Sequence, residues 1–496
     1  MYDILIIGGG INGAGIARDA AGRGLKVLLC DKDDLASHTS SASTKLIHGG
    51  LRYLEHYDFA LVRKALQERE VLLKAAPHII WPLRFVLPHH KDLRPSWLLR
   101  LGLFLYDHIG GRKRLPATKT LTRKNSSVFN PLKAHFKKGF EYSDCWVEDA
   151  RLVVLNAMDA RDHGATIMTQ TECTRLDTVG EVWRAVLRTG DGREQTVEAK
   201  TVINAAGPWV DTIAGYAGFR GNAPQVRLVK GSHIIVPKLF EDARSFIFQA
   251  GDGRIIFAIP YEDGRYTLIG TTDLPHEGDL NAVEASPEEI AYLCDVTNEY
   301  FERAIAPSDV VSTYSGVRPL FEDQAENASS VTRDYVLKVQ RQDGAPLLSV
   351  IGGKITTYRK LAEDVLKNLK FAFPDAQTAW TADAALPGGK IEHADFSAFE
   401  AECAQTYPYL ERDALHRLAR THGTLLHEVL GAAKSLSDLG THYGAGLYEQ
   451  EVAYFIEHEF ARTPEDILMR RTKLGLHMSP EEVSALHARF DARLVA

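Results

Sequence analysis

The 496-residue chain predicts an α/β fold with three parts. An apolar run near the start passes into a glycine-rich turn, a helical stretch and a second apolar strand, which is the order of a buried βαβ unit. Farther on, alternating strands around a Glu-Asp-Gly turn signal an antiparallel sheet. Beyond residue 385 strand signals fade and helix starts take over. Together these give a Rossmann-type nucleotide-binding domain, an antiparallel-sheet substrate domain and a C-terminal helical domain. The expected boundaries are 1–75, 145–220 and 340–372 for the discontinuous first domain, 76–144 and 221–339 for the second, and 385–496 for the third.

Composition limits the function classes. Hydrophobic residues are 45% and charged residues 25%, the balance of a globular protein rather than a disordered one. A net charge of −7 does not suit a nucleic-acid coat. The five cysteines are scattered without a CxxC pair, which excludes a disulfide scaffold and argues against a zinc ribbon. No metal-ligand spacing is present. No basic leader precedes the first apolar run, and no stretch reaches the roughly 18–20 apolar residues that span a bilayer. A cytoplasmic or membrane-surface protein is expected.

The elements follow in order. Residues 2–7 read as a buried strand that runs into Gly8, Gly10 and Gly13, spaced as GxGxxG. Residues 14–23 read as a helix and 26–30 as a second strand ending at Asp31. The first glycine permits a tight turn, the second lets a pyrophosphate approach the backbone, and the third lets helix and strand pack closely. An acid at the end of the second strand is placed to bind a ribose hydroxyl, and Asp31 lies eighteen residues after Gly13. The next segment, residues 40–53, is dense in hydroxyls, glycines and cations rather than continuing into another βα unit. A crossing of that kind suits FAD, which is held along its length, better than NAD. Residues 201–209 read as a strand ending in a small-residue turn at Gly207, where the backbone can pass close to a flat ring. Residues 347–351 form another expected strand, followed by Gly352-Gly353-Lys354 and a helix whose N-terminus can face a flavin and stabilise its reduced anion.

These segments resemble the FAD-dependent respiratory glycerol-3-phosphate dehydrogenases of the D-amino-acid-oxidase-like superfamily. The matching stretches are IIGGGINGAGIARDAAGRG, SSASTKLIHGGLRYLE, RLVKGSHIIVP, TYSGVRPL, TRDY and GGKITTYRKLA, spread over residues 4 to 362. Asp31 stands where related flavoproteins often have Glu. The resemblance implies oxidation of sn-glycerol 3-phosphate to dihydroxyacetone phosphate, with hydride passing from C2 to flavin N5 and electrons to a membrane quinone. It implies cofactor contacts from Gly8, Gly10, Gly13, Asp31, Ser40, Ser43, Lys45, His48, Gly50, Gly207, Gly353, Lys354 and Thr356.

A phosphate dianion calls for forked cations, because Arg offers paired donors that Lys lacks. Arg52, Arg318 and Arg333 each stand beside Gly, Pro or Asp, at what read as abrupt turns, and the resemblance puts them in the substrate pocket with Tyr53. His233, expected at the start of an apolar strand, is the base candidate for the hydroxyl proton. Lys354 and Arg318 are candidates for stabilising the developing alkoxide. His48 is expected as a flavin neighbour.

Residues 94–138 stand apart. An apolar stretch, 97–106, precedes a tract from Arg112 to Lys138 holding nine Lys or Arg and no Asp or Glu. This suits an anionic membrane surface and access to a lipid quinone. Only two phenylalanines, Phe129 and Phe136, fall within the tract, so nucleic acid is a poor partner. At the C-terminus, Thr463-Pro464 and Ser479-Pro480 are helix starts, and residues 467–473 give one apolar and one basic side, read as a cap or homodimer support. The alternatives to a quinone-linked dehydrogenase are a glycerol-3-phosphate oxidase using O2, a more distant amine or amino-acid oxidase, and a non-catalytic flavin-binding peripheral membrane protein.

Overall fold

The computed structural model describes residues 1–91, 93–112, 114–219, 226–321 and 334–495. Two sheets organise it. In the first, Tyr2–Ile7 lies between Val27–Cys30 and Glu194–Asn204, both parallel to it. Thr166–Met168 extends one side in parallel. Ala345–Ile351 extends the other in parallel and is edged by antiparallel Val336–Gln342. Ile4, Leu5, Ile6 and all of Val27–Cys30 are buried, because helices and an antiparallel flap cover both faces. The flap is Thr171–Val179 and Val182–Thr189, paired onto the start of Glu194–Asn204. Helix Ile11–Gly22 packs against Asp149–Asp162 and Tyr358–Asn368 through a shared core of Ala14, Ala17, Val154, Leu361 and Val365.

The second sheet has ten strands and is largely antiparallel. Near one end Val226–Pro237 pairs with Tyr266–Gly270 on one side and Ser312–Phe321 on the other. The hairpin expected around Glu262-Asp263-Gly264 forms, with Tyr261 opposite Tyr266. Ile80–His89 and Lys138–Val147 continue the sheet, and Leu46–Ile47 pairs onto its far edge. That last pairing carries the hydroxyl-rich crossing from the first sheet to the second. Helix Pro287–Tyr300 closes one face and starts at a capping box between Ser286 and Glu289, as its sequence requires.

The C-terminal unit is mainly helical, with one small two-stranded sheet. The stretch Asp466–Arg471 is a π-helix, and its two arginines are held by carboxylates of the same chain. Arg471 Nη2 donates to Asp34 Oδ1 at 2.7 Å and Arg470 Nε to Asp34 Oδ2 at 2.6 Å. Arg151 meets Glu459 at 2.9 Å. These buried ion pairs fasten the unit to the nucleotide domain, so its cations answer carboxylates of the same chain. All five cysteines are buried and free.

Helix Ser96–Ile109 buries Leu103 and Tyr106 and turns an apolar face outward. Trp97 is 69% exposed, Leu101 48% and Phe104 49%. The basic tract after it is not one surface. Arg112, Arg114 and Arg123 donate to backbone carbonyls of Leu115, His393 and Phe136, so part of its charge holds loops together. Among the described residues no helix is long and apolar enough to cross a membrane.

Candidate active site

The glycine turn is set by steric necessity. Gly8 has φ +117°, and a Cβ there would lie 2.3 Å from the Ala205 carbonyl oxygen. A Cβ on Gly13 would lie 1.8 Å from the Gly8 carbonyl oxygen. Gly8 therefore lets the first strand touch the 205–207 turn, and Gly13 seats the helix on the strand. Gly10 has no side chain to cap that helix, and Ser40 Oγ accepts from Ile11 N at 2.9 Å, so an anion at the positive helix end would meet the helix N-terminus beside the Ser40 hydroxyl. Asp31 accepts from Gly9 N at 2.5 Å and Asp33 N at 2.8 Å. Burial pushes its carboxyl up to about 6 despite these donors.

One continuous cleft runs between the two sheets. Of the residues singled out from sequence, Gly8, Gly10, Asp31, Ser40, Ser43, His48, Tyr53, Gly207, His233, Arg318, Gly353 and Lys354 line it. Four others support it from behind. Gly13 does so through helix packing. Gly50, at φ +75°, turns the chain into the 3-10 helix Leu51–His56, where a Cβ would strike the Tyr53 ring at 2.2 Å. Thr356 Oγ1 accepts from His48 N at 3.2 Å and ties the two glycine segments together. Lys45 is buried, and its ammonium meets Asp149 at 2.8 and 2.9 Å and Ser41 O at 3.0 Å, so it braces the crossing segment and does not face the cleft.

His233 is not at a strand end. It lies within Val226–Pro237, opposite Gly270 and Tyr314, and is 2% exposed. Its Nε2 is 2.9 Å from Thr44 Oγ1, and its ring stacks on Tyr314 at 4.7 Å between centroids. Burial, then the Lys45 and Arg318 cations, hold the imidazole neutral by pushing its pKa well below the usual histidine range. His48 is likewise pushed down to about 4 by burial and by Lys354 and Arg69. Lys354 Nζ sits 3.8 Å over the Tyr53 ring centroid. Arg318 is not at a turn either. It is central in Ser312–Phe321, opposite Val229, and pairs with Asp273 Oδ1 at 3.1 Å. The backbone of Arg52 lies in the 3-10 helix beside Tyr53, while Arg333 lies outside the described residues.

Sequence reasoning missed Asp149, Asp273 and Thr44. Each does its work on a residue distant in sequence; Asp149 and Asp273 stand in no motif, and Thr44 lies within the stretch SSASTKLIHGGLRYLE without being singled out there.

The cleft offers a helix N-terminus and a carboxylate, then small-residue turns, then cations and neutral imidazoles. That donor set fits a dinucleotide ending in a flat redox ring, and the class it defines is the FAD-dependent oxidoreductases. The family model described as FAD dependent oxidoreductase matches residues 3–359. The model for the C-terminal domain of alpha-glycerophosphate oxidase matches residues 379–491. The D-erythritol 1-phosphate dehydrogenase of Brucella abortus is 52% identical over 496 residues, covering 100% of this chain and 99% of that protein. The glycerol-3-phosphate dehydrogenase of Pseudomonas aeruginosa is 52% identical over 483 residues, covering 97% of this chain and 93% of that protein. The crystal structure of the glycerol-3-phosphate dehydrogenase from Bacillus halodurans complexed with FAD matches with a TM-score of 0.77 at 27% identity, covering 100% of this chain and 94% of that one. The chain belongs to the FAD-dependent glycerol-3-phosphate dehydrogenase family of D-amino-acid-oxidase-like flavoproteins.

Proposed function

We propose that this protein oxidises the secondary alcohol of sn-glycerol 3-phosphate to dihydroxyacetone phosphate and delivers the electrons to a membrane quinone. The observation that carries this reading is the meeting of Arg318, His233, Lys354 and Tyr53 in the FAD cleft. When bound, FAD supplies the acceptor for the C2 hydride at N5. The chain does the rest. Arg318, aimed by Asp273, answers the phosphate, with Arg52 and Arg333 as its partners from sequence. Neutral His233 takes the hydroxyl proton. Lys354 and Arg318 favour the developing alkoxide electrostatically. Gly8, Gly10, Asp31, Ser40 and Ser43 hold the cofactor, while Gly13, Lys45, Gly50 and Thr356 hold the walls that hold it.

A second substrate reading has its own support. One relative that matches this chain from end to end is a D-erythritol 1-phosphate dehydrogenase. Both compounds are phosphorylated polyols, so the same arginines and base serve either. The outward apolar face of Ser96–Ile109, with basic residues after it, supports peripheral attachment to the cytoplasmic membrane, and the C-terminal unit is the candidate homodimer surface.

Anaerobic addition of glycerol 3-phosphate, erythritol 1-phosphate, unphosphorylated glycerol and amino acids, followed by flavin absorbance, tests the reading. Bleaching by a phosphorylated polyol alone is expected, and the faster of the two names the substrate. Bleaching by amino acids, or by none of the compounds, would overturn it. Peroxide formed in air at the full turnover rate would replace the quinone with oxygen.

A further inference from the structure

The geometry points to Thr44 as the proton relay between the substrate hydroxyl and His233, an inference that rests on the assignment of His233 as base. His233 lines the cleft with its ring, but its Nδ1 is enclosed and has no hydrogen-bond partner among the described residues. Nε2 is 2.9 Å from Thr44 Oγ1. Thr44 is half-buried and lines the same cleft as Arg318 and Lys354. Access to the imidazole therefore runs through the Thr44 hydroxyl, which can accept one proton while giving up another.

The ring cannot easily swing past Thr44. Tyr314 stacks on it at 4.7 Å with the planes 16° apart, and the Tyr314 hydroxyl is itself fixed by donating to Ser43 O at 2.9 Å. On the opposite side, a Cβ at Gly270 would lie 2.0 Å from the His233 ring, so the neighbouring strand is already against it. Thr44 is in turn held between Ser43, which donates to Asp149 at 2.8 Å, and Lys45, which meets the same carboxylate. The buried Lys45–Asp149 pair thus fixes the hydroxyl from one side and Tyr314 fixes the imidazole from the other.

The substrate O–H bond breaks and its proton joins Thr44 Oγ1. With the imidazole as its Nδ1–H tautomer, so that the Thr44 hydroxyl donates to Nε2, the original Thr44 proton passes to His233 Nε2, giving an imidazolium. The C2–H bond breaks with its electron pair leaving as hydride to the FAD that the family reaction already requires, and C2 and its oxygen form the carbonyl.

The test is stopped-flow flavin reduction by the phosphorylated polyol that bleaches the holoenzyme, in Thr44→Val, Thr44→Ser, His233→Asn and the Thr44→Val/His233→Asn double variant. Flavin content and melting temperature are measured for each, with Thr44→Ala replacing Thr44→Val if the latter does not retain FAD. For Thr44→Val the limiting rate is expected to fall about 10- to 100-fold at nearly unchanged substrate affinity. Thr44→Ser, which keeps the hydroxyl, is expected within about threefold of wild type, and the double variant no slower than His233→Asn, because both changes cut one path. Wild-type speed in Thr44→Val beside a slow His233→Asn would overturn the relay and leave the base intact, as would losses that multiply in the double variant. Wild-type speed in His233→Asn would overturn the base assignment itself.

Discussion

Replacing Gly13 by Ala tests the packing on which the cofactor site stands. The added Cβ would lie 1.8 Å from the Gly8 carbonyl oxygen, a backbone atom that cannot rotate away. Restoring an ordinary contact needs a separation of about 1.5 Å between helix Ile11–Gly22 and the strand end, an overpacking strain of about 1–3 kcal/mol. The same movement carries the helix N-terminus off the pyrophosphate position, so the loss of FAD affinity is expected to exceed the loss of fold stability. Gly13→Ala purified from cells should show less than about a tenth of the wild-type flavin absorbance per protein. Its apoprotein should still unfold cooperatively, a few degrees lower. A Gly13→Ala protein that is fully yellow with an unchanged melting temperature would refute the packing argument. At Gly10 the nearest atom to an added Cβ is the Ser40 hydroxyl at 2.9 Å, a side chain that can yield, so Gly10→Ala should cost less fold stability than Gly13→Ala while still crowding the pyrophosphate position.

Further outcomes follow from the same geometry. Lys45→Met should cost about 3–5 kcal/mol in denaturant unfolding by stranding Asp149, and Lys45→Met/Asp149→Leu should recover much of it; additive losses would contradict a buried pair. Asp31 is raised in the fold from 3.8 to about 6, so the native apoprotein binds more protons than the unfolded chain between those values. Its contribution to stability is thus full below about pH 4 and lost as pH rises through 6, and Asp31→Asn should remove that slope when unfolding free energies at pH 4.5 and 7 are compared. Because His233 is held neutral, the limiting rate of flavin reduction should show no acid limb from this group near its ordinary value of 6.5, and a limb there that vanishes in His233→Asn would contradict its burial. Trp97→Ser/Phe104→Ser should reduce flotation with anionic liposomes without altering flavin reduction, and wild-type flotation by this variant would remove that helix from the membrane contact.

Sequence by itself determined the parts of this protein that are local and periodic. The strand–glycine–helix–strand–acid order fixed the nucleotide site, since backbone sterics allow few other uses for Gly8 and Gly13 at that spacing. Alternation fixed the hairpin around Glu262, and hydroxyl and proline signals fixed the helix starts at Ser286 and Ser479. Family motifs named the cleft residues. Only the tertiary structure decided which of them face the ligand, because a side chain's role depends on partners far along the chain. Lys45 reads as a cofactor contact until Asp149, more than a hundred residues away, takes its ammonium. Arg470 and Arg471 read as the basic side of a helical cap or dimer support, and only the fold shows Asp34 against them. His233 reads as a strand-end residue and Arg318 as a turn residue, yet both stand mid-strand in the antiparallel sheet, and that placement gives them the fixed aim a reacting atom requires.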